Sequence, residues 1–146
     1  MARVMRGRPL VAGAAAGRAL VSDEPLSFWG GYDHHSGEII DRRHPLAGQN
    51  AAGRVLVLPY ARGSSTTSAV LLEALRAGTA PAAILTTGTE PFFALAAIVA
   101  DEMYGLSLPV VIVPLGAAAD LRSGTSLRIE RDGTIAIEDD SSSRGR

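Results

Sequence analysis

The strongest constraint on the fold is an alternation of apolar runs and helical segments in the second half of the chain. Continuous apolar runs of strand length occur at RVLVLP (54–59), AAILTTG (82–88) and LPVVIVP (108–114). Between them, SAVLLEALRAG (68–78) and EPFFALAAIVADEMYG (90–105) have helical character. Because continuous apolar strands that alternate with helices are typical of a covered parallel sheet, this half predicts a small α/β layer.

The rest of the chain has β character. GRALVSDEPLSFWGG (17–31) and SGEIIDRRHPL (36–46) indicate short strands joined by turns in the first half. SLRIERDGTIAIED (126–139) predicts a hairpin, because Asp132-Gly133 between alternating runs is a strong turn signal. We therefore expect one domain over residues 1–140, followed by a disordered tail, 141–146.

The composition excludes several classes of function. The chain has 146 residues, of which 47% are hydrophobic, enough for one core. Its net charge is −1 and its basic residues are scattered, which argues against nucleic-acid binding. The chain has no cysteine, so a cluster ligated by thiolates would have to be held by another chain. All 14 basic residues are arginine, which excludes Schiff-base chemistry and a P-loop lysine.

Nothing in the sequence indicates a membrane segment or a leader. No uninterrupted apolar segment reaches the roughly 18 residues that a membrane helix needs, and the nearest is PFFALAAIVA (91–100). The basic and then apolar N-terminus is interrupted by Arg18 and by several glycines, so it is a poor signal peptide. We therefore expect a soluble, cytoplasmic protein.

The candidate site is the turn ARGSSTTSAV (61–70), where the predicted strand at 54–59 leads into a helix. Unpaired N–H groups of a first helical turn bind anions, and ligands of parallel α/β sheets lie beyond the carboxyl ends of the strands. Ser64 as a plain N-cap, with the other hydroxyls as surface filler, is the simpler interpretation. However, Ser64, Ser65, Thr66, Thr67 and Ser68 are more hydroxyls than capping requires, and Gly63 permits close approach of a ligand.

The sequence indicates a ligand site at this turn more clearly than it indicates which reaction takes place there. It fits neither the nucleophile elbow, since the second glycine is missing, nor a P-loop. A serine that acts as a base needs electropositive help, which helix N-terminal amides, Arg62 or a partner's metal would supply.

Two further segments are candidates. Asp33, His34 and His35 suggest a metal site, but adjacent histidines in an extended segment point in opposite directions and no ligand spacing joins them to His44. Gly30 and Gly31 instead favour a loop that passes close to a ligand or a subunit, with Trp29 packed there.

The second strand-to-helix turn, TTGTEPFF (86–93), is explained mostly by helix capping. Because successive parallel strands end on the same side of a sheet, we also expect its residues to line the same edge as Ser64. The helix that follows is apolar nearly all round, which predicts burial on both sides or contact with a partner, and we therefore expect a partner chain.

Three landmarks together are specific for one family: SFWGGYDHHSGEIIDRRHPLAG (27–48), RGSSTTS (62–68) and TTGTEP (86–91). Over most of its length the chain resembles the small subunit of the aconitase X family, a swivelling β/β/α domain. The resemblance implies a hydro-lyase of two subunits, in which the large subunit holds an iron–sulfur cluster and the small subunit supplies a serine base.

Carried over residue by residue, the resemblance assigns the base to Ser64, which follows Gly63, with Ser65 beside it. Classical aconitases have an arginine two residues after the catalytic serine of the related turn, where this chain has Thr66. The resemblance therefore leaves Arg62 or the large subunit to bind the substrate carboxylate. The implied mechanism is abstraction by Ser64 of a proton alpha to a carboxylate, while the cluster iron acts as Lewis acid on the leaving hydroxyl.

The family offers two activities, dehydration of cis-3-hydroxy-L-proline and of phosphomevalonate. The arginine-only, alanine-rich composition resembles that of a GC-rich bacterial genome, which favours the hydroxyproline substrate. The alternative of another class is a non-catalytic module that binds an anion or a partner.

Overall fold

The structure is a computed structural model that describes residues 2–60, 66–88 and 91–138. Within these residues there are eight strands and three helices. In chain order they are β1 (Ala2–Arg6), β2 (Arg8–Val11), β3 (Ala15–Val21), β4 (Val55–Leu58), α1 (Thr66–Ala77), β5 (Ala83–Thr86), α2 (Pro91–Tyr104), β6 (Val110–Ile112), α3 (Leu115–Ala119), β7 (Ser126–Ile129) and β8 (Thr134–Glu138).

The strands form one sheet in the order β1-β8-β7-β3-β4-β5-β6-β2. Strands β3, β4, β5 and β6 are parallel to their neighbours in this series, and the remaining pairs are antiparallel. The two strands at the ends of the order, β1 and β2, are separated along the chain only by Gly7. The sheet therefore curves back on itself into a barrel, because its first and last strands are almost continuous.

Two cores lie on the two faces of the parallel strands. Along β4, Val55 and Val57 face the barrel interior, whereas Leu56 and Leu58 face the helices. This explains why β4 is a continuous apolar run, since both of its faces are buried. The hairpin strands bury one face only, with Ile135 and Ile137 in the barrel interior.

The helical layer packs on one side of the parallel strands. Helix α1 ends where predicted, because Gly78 adopts a positive φ of 80° and the N–H of Thr79 bonds to the carbonyl of Ala74. The long connection 22–54 covers this layer and buries apolar side chains against α1 and α2. These side chains are Leu26, Phe28, Tyr32, Ile39, Leu46 and Ala51.

The predicted α/β fold is confirmed, and so is the hairpin. The N–H of Glu130 bonds to the carbonyl of Thr134 across the Asp132-Gly133 turn. The first half differs in detail from the prediction: its strands lie within residues 2–21, and segment 36–46 contributes only the isolated bridges Tyr32–Ile39 and Glu38–Asn50. Turns replace strands there because the segment packs on helices and has no neighbouring strand to extend a ladder.

In the described parts of the chain, no helix combines the length and apolar character needed to span a bilayer.

Candidate functional site

The candidate site lies at the sheet edge where β4 and β5 end. These strands are parallel and pair from Val55–Ala83 to Leu58–Thr86, so both carboxyl ends reach the same edge. Arg62, Gly63, Ser64 and Ser65 lie outside the described residues. Thr66, the last of the predicted site residues, is described: it is exposed and opens α1.

The hydroxyl run divides into residues with different roles. Thr67 is buried, with 1% of its surface exposed, so it belongs to the packing of α1. Ser68 donates a hydrogen bond of 2.8 Å from Oγ to the carbonyl of Phe92, at the start of α2. The interpretation of these two hydroxyls as surface filler is therefore wrong. Ser64 and Ser65, the other serines of the run, lie outside the described residues.

The second strand-to-helix turn contacts the first one directly. Thr86, at the end of β5, donates from Oγ1 to the carbonyl of Pro59 over 2.7 Å. Oγ1 of Thr87 lies 3.3 Å from the same carbonyl. Capping was predicted to explain most of this turn, and it does not account for these two threonines, whose hydroxyls join the ends of two strands. Thr89 and Glu90 lie outside the described residues.

A cavity of about 380 Å³ opens at the same edge. Pro59 and Thr87 form part of its wall, which places it beside the contact between the two turns. Leu58, Leu115 and Leu121 supply apolar surface, and among the described residues of the lining Asp23 is the one that is ionisable. The described part of this cavity is therefore mainly apolar and could hold the non-polar part of a small molecule or of a partner.

A groove of about 370 Å³ lies on the helical side of Thr66. Trp29 and Ile40, whose exposed fractions are 71% and 45%, line it together with Thr66. Trp29 stands out from the core, whereas its neighbour Phe28 is fully buried and stacks on Tyr32 with ring centroids 5.2 Å apart. That Trp29 packs against a ligand or another subunit stays a prediction, and its exposure leaves the side chain accessible for such a contact.

Gly31 has no room for a side chain, because a Cβ there would lie 2.1 Å from the carbonyl oxygen of Ser27. The glycine pair thus serves the tight turn that presents Trp29, with Gly30 at a φ of 78°.

Asp33, His34 and His35 lie in a turn, not in an extended segment. The expectation that the two histidines point in opposite directions is wrong, since their ring centroids are 4.1 Å apart. The carboxylate of Asp33 accepts bonds from the N–H of His35 (2.9 Å) and from Oγ of Ser36 (3.0 Å). These two bonds hold the pKa of Asp33 below its usual range, and the bond from the backbone N–H of His35 has the larger effect. Asp33 therefore acts as the cap of its own turn.

Other polar groups of this region also have structural partners. Nδ1 of the buried His44 accepts from the N–H of Leu46, and its Nε2 lies 3.3 Å from the carbonyl of Glu24. The hydroxyl of Tyr32 donates to the carbonyl of Thr79 over 2.8 Å, and burial raises its pKa. Among the residues that the structure describes, no group of three or more His, Cys, Asp or Glu is placed to hold a metal ion.

The fold and the landmarks define a swivel domain of the aconitase type, and the comparison with protein families identifies it further. The chain belongs to the aconitase X swivel domain family, whose model matches residues 4–137. The match covers every element of the fold except the first residues of β1 and the end of β8.

Two named relatives illustrate the family. The cis-3-hydroxy-L-proline dehydratase of Pseudomonas aeruginosa is 53% identical over 103 residues, which are 70% of this chain and 18% of that protein. The phosphomevalonate dehydratase small subunit of Methanothermobacter thermautotrophicus is 44% identical over 93 residues, 64% of this chain and 71% of that subunit. The chain thus spans less than a fifth of the first relative.

A solved structure agrees with the fold. The crystal structure of Thermococcus kodakaraensis aconitase X in its holo-form is similar with a TM-score of 0.83 and 32% identity. The similarity covers 94% of this chain and 99% of the matched chain. The barrel and the helical layer are therefore shared along nearly the whole length of both.

Proposed function

We propose that this chain is the swivel-domain subunit of an aconitase X-type dehydratase and that it acts on cis-3-hydroxy-L-proline. The observation that carries the proposal is the 53% identity to the dehydratase of Pseudomonas aeruginosa, which is higher than the 44% and 46% to the phosphomevalonate dehydratase small subunits of Methanothermobacter thermautotrophicus and Methanopyrus kandleri. Strand β4, which precedes the candidate turn in the sequence, ends beside β5 at the carboxyl edge of the parallel strands, and ligands of such sheets bind at this edge.

Ser64 is the proposed base. In this mechanism its oxygen takes the proton alpha to the substrate carboxylate, and the hydroxyl group leaves from the neighbouring carbon. Arg62 and the turn residues Gly63, Ser65 and Thr66 would hold the carboxylate. The amides at the start of α1 favour the oxyanion of Ser64, because a helix N-terminus carries a partial positive charge.

A large subunit is the proposed partner. The family resemblance implies an iron–sulfur cluster, but this chain contains no cysteine and so does not fit as its holder. A cluster would therefore be ligated by the large subunit, and the contribution of this chain would be the base and the carboxylate contacts.

The test is co-expression with the aconitase X large subunit of the same genome under anaerobic conditions. Water loss from cis-3-hydroxy-L-proline and from phosphomevalonate is then measured for the wild type and for Ser64→Ala. We expect turnover of cis-3-hydroxy-L-proline by the complex and none by this chain alone. Because a general base contributes about 100-fold or more, Ser64→Ala should lower kcat at least by that factor while the complex still assembles.

Ser107→Ala is the matched control, since Ser107 is exposed and precedes β6, away from the carboxyl edge. It should leave kcat unchanged. Full activity of Ser64→Ala would refute the role of Ser64. Turnover of phosphomevalonate alone would assign the second activity of the family, and assembly without turnover of either compound would favour a binding module.

A further inference from the structure

Two side-chain hydroxyls form hydrogen bonds on either side of residues 61–65, the part of the chain that includes Ser64. Before this part of the chain, the carbonyl of Pro59 accepts a hydrogen bond of 2.7 Å from Thr86 Oγ1. After it, Ser68 Oγ donates to the carbonyl of Phe92 over 2.8 Å. Both bonds connect the first strand-to-helix unit, β4 and α1, with the second, β5 and α2. The described residues on either side of 61–65 are thus each hydrogen-bonded to the second unit, Pro59 to β5 and Ser68 to the start of α2.

The side-chain hydrogen bond from Thr86 links β4 and β5 at the point where their backbone hydrogen bonds end. Backbone pairing between β4 and β5 ends at Leu58–Thr86, so the next carbonyl, that of Pro59, lies beyond the last strand pair. Thr86 has no exposed surface, so its hydroxyl cannot exchange this partner for water. The weaker contact from Thr87, at 3.3 Å, adds a second donor to the same oxygen.

We propose that Thr86 is a positioning residue for the dehydration: it fixes the point at which the chain leaves β4, at Pro59, shortly before the proposed base Ser64 in the sequence. The proposal rests on the proposed function of Ser64 as base. Thr86 does not have to touch the substrate, because its effect passes through the carbonyl of Pro59. A base displaced by about 1 Å from its productive geometry can lose about 100-fold in rate, so the hydroxyl of Thr86 matters for catalysis beyond its part in stability.

The experiment compares Thr86→Val, which removes the hydroxyl but keeps the shape, with Thr86→Ser, which keeps the hydroxyl. Thr79→Val is the matched control. Thr79 Oγ1 also donates to a carbonyl, that of His34 over 2.6 Å, but Thr79 follows the far end of α1. That helix has 12 residues and is therefore about 18 Å long.

In the complex with the large subunit, Thr86→Val should lower kcat about tenfold or more while KM changes by less than about threefold. Thr86→Ser should restore most of the wild-type kcat. Thr79→Val should lower the melting temperature by an amount similar to that of Thr86→Val but leave kcat unchanged. A wild-type kcat in Thr86→Val, or an equal loss of kcat in Thr79→Val, would overturn the proposal.

Amide hydrogen exchange of the full chain provides a readout that does not depend on activity. We expect faster exchange in the peptide that spans 60–67 in Thr86→Val and wild-type exchange there in Thr79→Val. Unchanged exchange in Thr86→Val overturns the positioning role even if the complex is active. A wild-type complex without dehydratase activity, combined with faster exchange in Thr86→Val, refutes the proposed function and leaves Thr86 as the residue that holds this turn.

Discussion

At the scale of single residues, the barrel depends on Gly7. This residue lies between β1 and β2, where the chain crosses from one part of the barrel to the other, and its N–H bonds to the carbonyl of Gly133 over 2.9 Å. A Cβ on Gly7 would lie 2.4 Å from Cγ1 of Val111 and 2.9 Å from the carbonyl oxygen of Ile112. Gly7 is thus required for space, since its φ is not in the positive region.

We therefore expect Gly7→Ala to lower the free energy of unfolding by about 1–3 kcal/mol, because an inserted methyl group must displace packed atoms. Chemical denaturation measures this change. Gly116→Ala is the control: a Cβ there meets no atom within 4 Å and the residue lies in α3. That variant should be neutral or slightly stabilising, since alanine is the better helix former. Equal stability of Gly7→Ala and the wild type would contradict the close contact.

At the scale of elements, α2 has two unlike faces. Phe93, Ala96, Ala97 and Ala100 are buried, whereas other apolar side chains of the helix remain exposed, among them Leu95, Ile98 and Met103. The sequence showed that α2 is apolar nearly all round, and the structure separates the core face from the remaining one. That the exposed face contacts a partner chain stays a prediction.

Phe93 is the main anchor of the buried face. Its ring is fully buried and packs edge-on against Phe28, with centroids 5.5 Å apart. We expect Phe93→Ala to cost about 3–5 kcal/mol of unfolding free energy, because it leaves a cavity between α2 and the connection 22–54. Leu95→Ala, on the same helix but 47% exposed, should cost much less. Thermal melts of both variants check the difference, and similar losses would show that the two faces are packed alike.

At the scale of the whole molecule, the N-terminal strand closes the barrel. Strand β1 pairs with β8 along five residue pairs, from Ala2–Glu138 to Arg6–Thr134. Without β1 the edge of β8 would be unpaired, and Met5 would be lost from the barrel interior. Residues 2–6 are therefore part of the fold.

Deletion of residues 1–6 should accordingly lower the melting temperature strongly and promote aggregation through the open edge. Deletion of the predicted tail 141–146, which has the same length, should change neither property. Thermal melts and size-exclusion chromatography of the two deletion variants measure this. A truncated chain without β1 that melts like the wild type would show that the barrel does not need closure.

Local patterns in the sequence were sufficient for the α/β layer and the hairpin. Continuous apolar runs record burial on both faces, as in β4, and Gly78 and Asp132-Gly133 mark ends and turns. The three landmark segments could also be recognised from the sequence, because they depend on residue order alone. They led to Ser64, whose role stays a prediction.

The tertiary structure alone decided how these elements close and which side chains meet. Barrel closure at Gly7, the bond from Thr86 to Pro59 and the proximity of His34 to His35 leave no periodic signal in the sequence. The first two join residues far apart in the chain, and the third depends on a turn that packing imposes. Local sequence patterns report how much of a residue is buried, but only the folded chain determines against what it is buried.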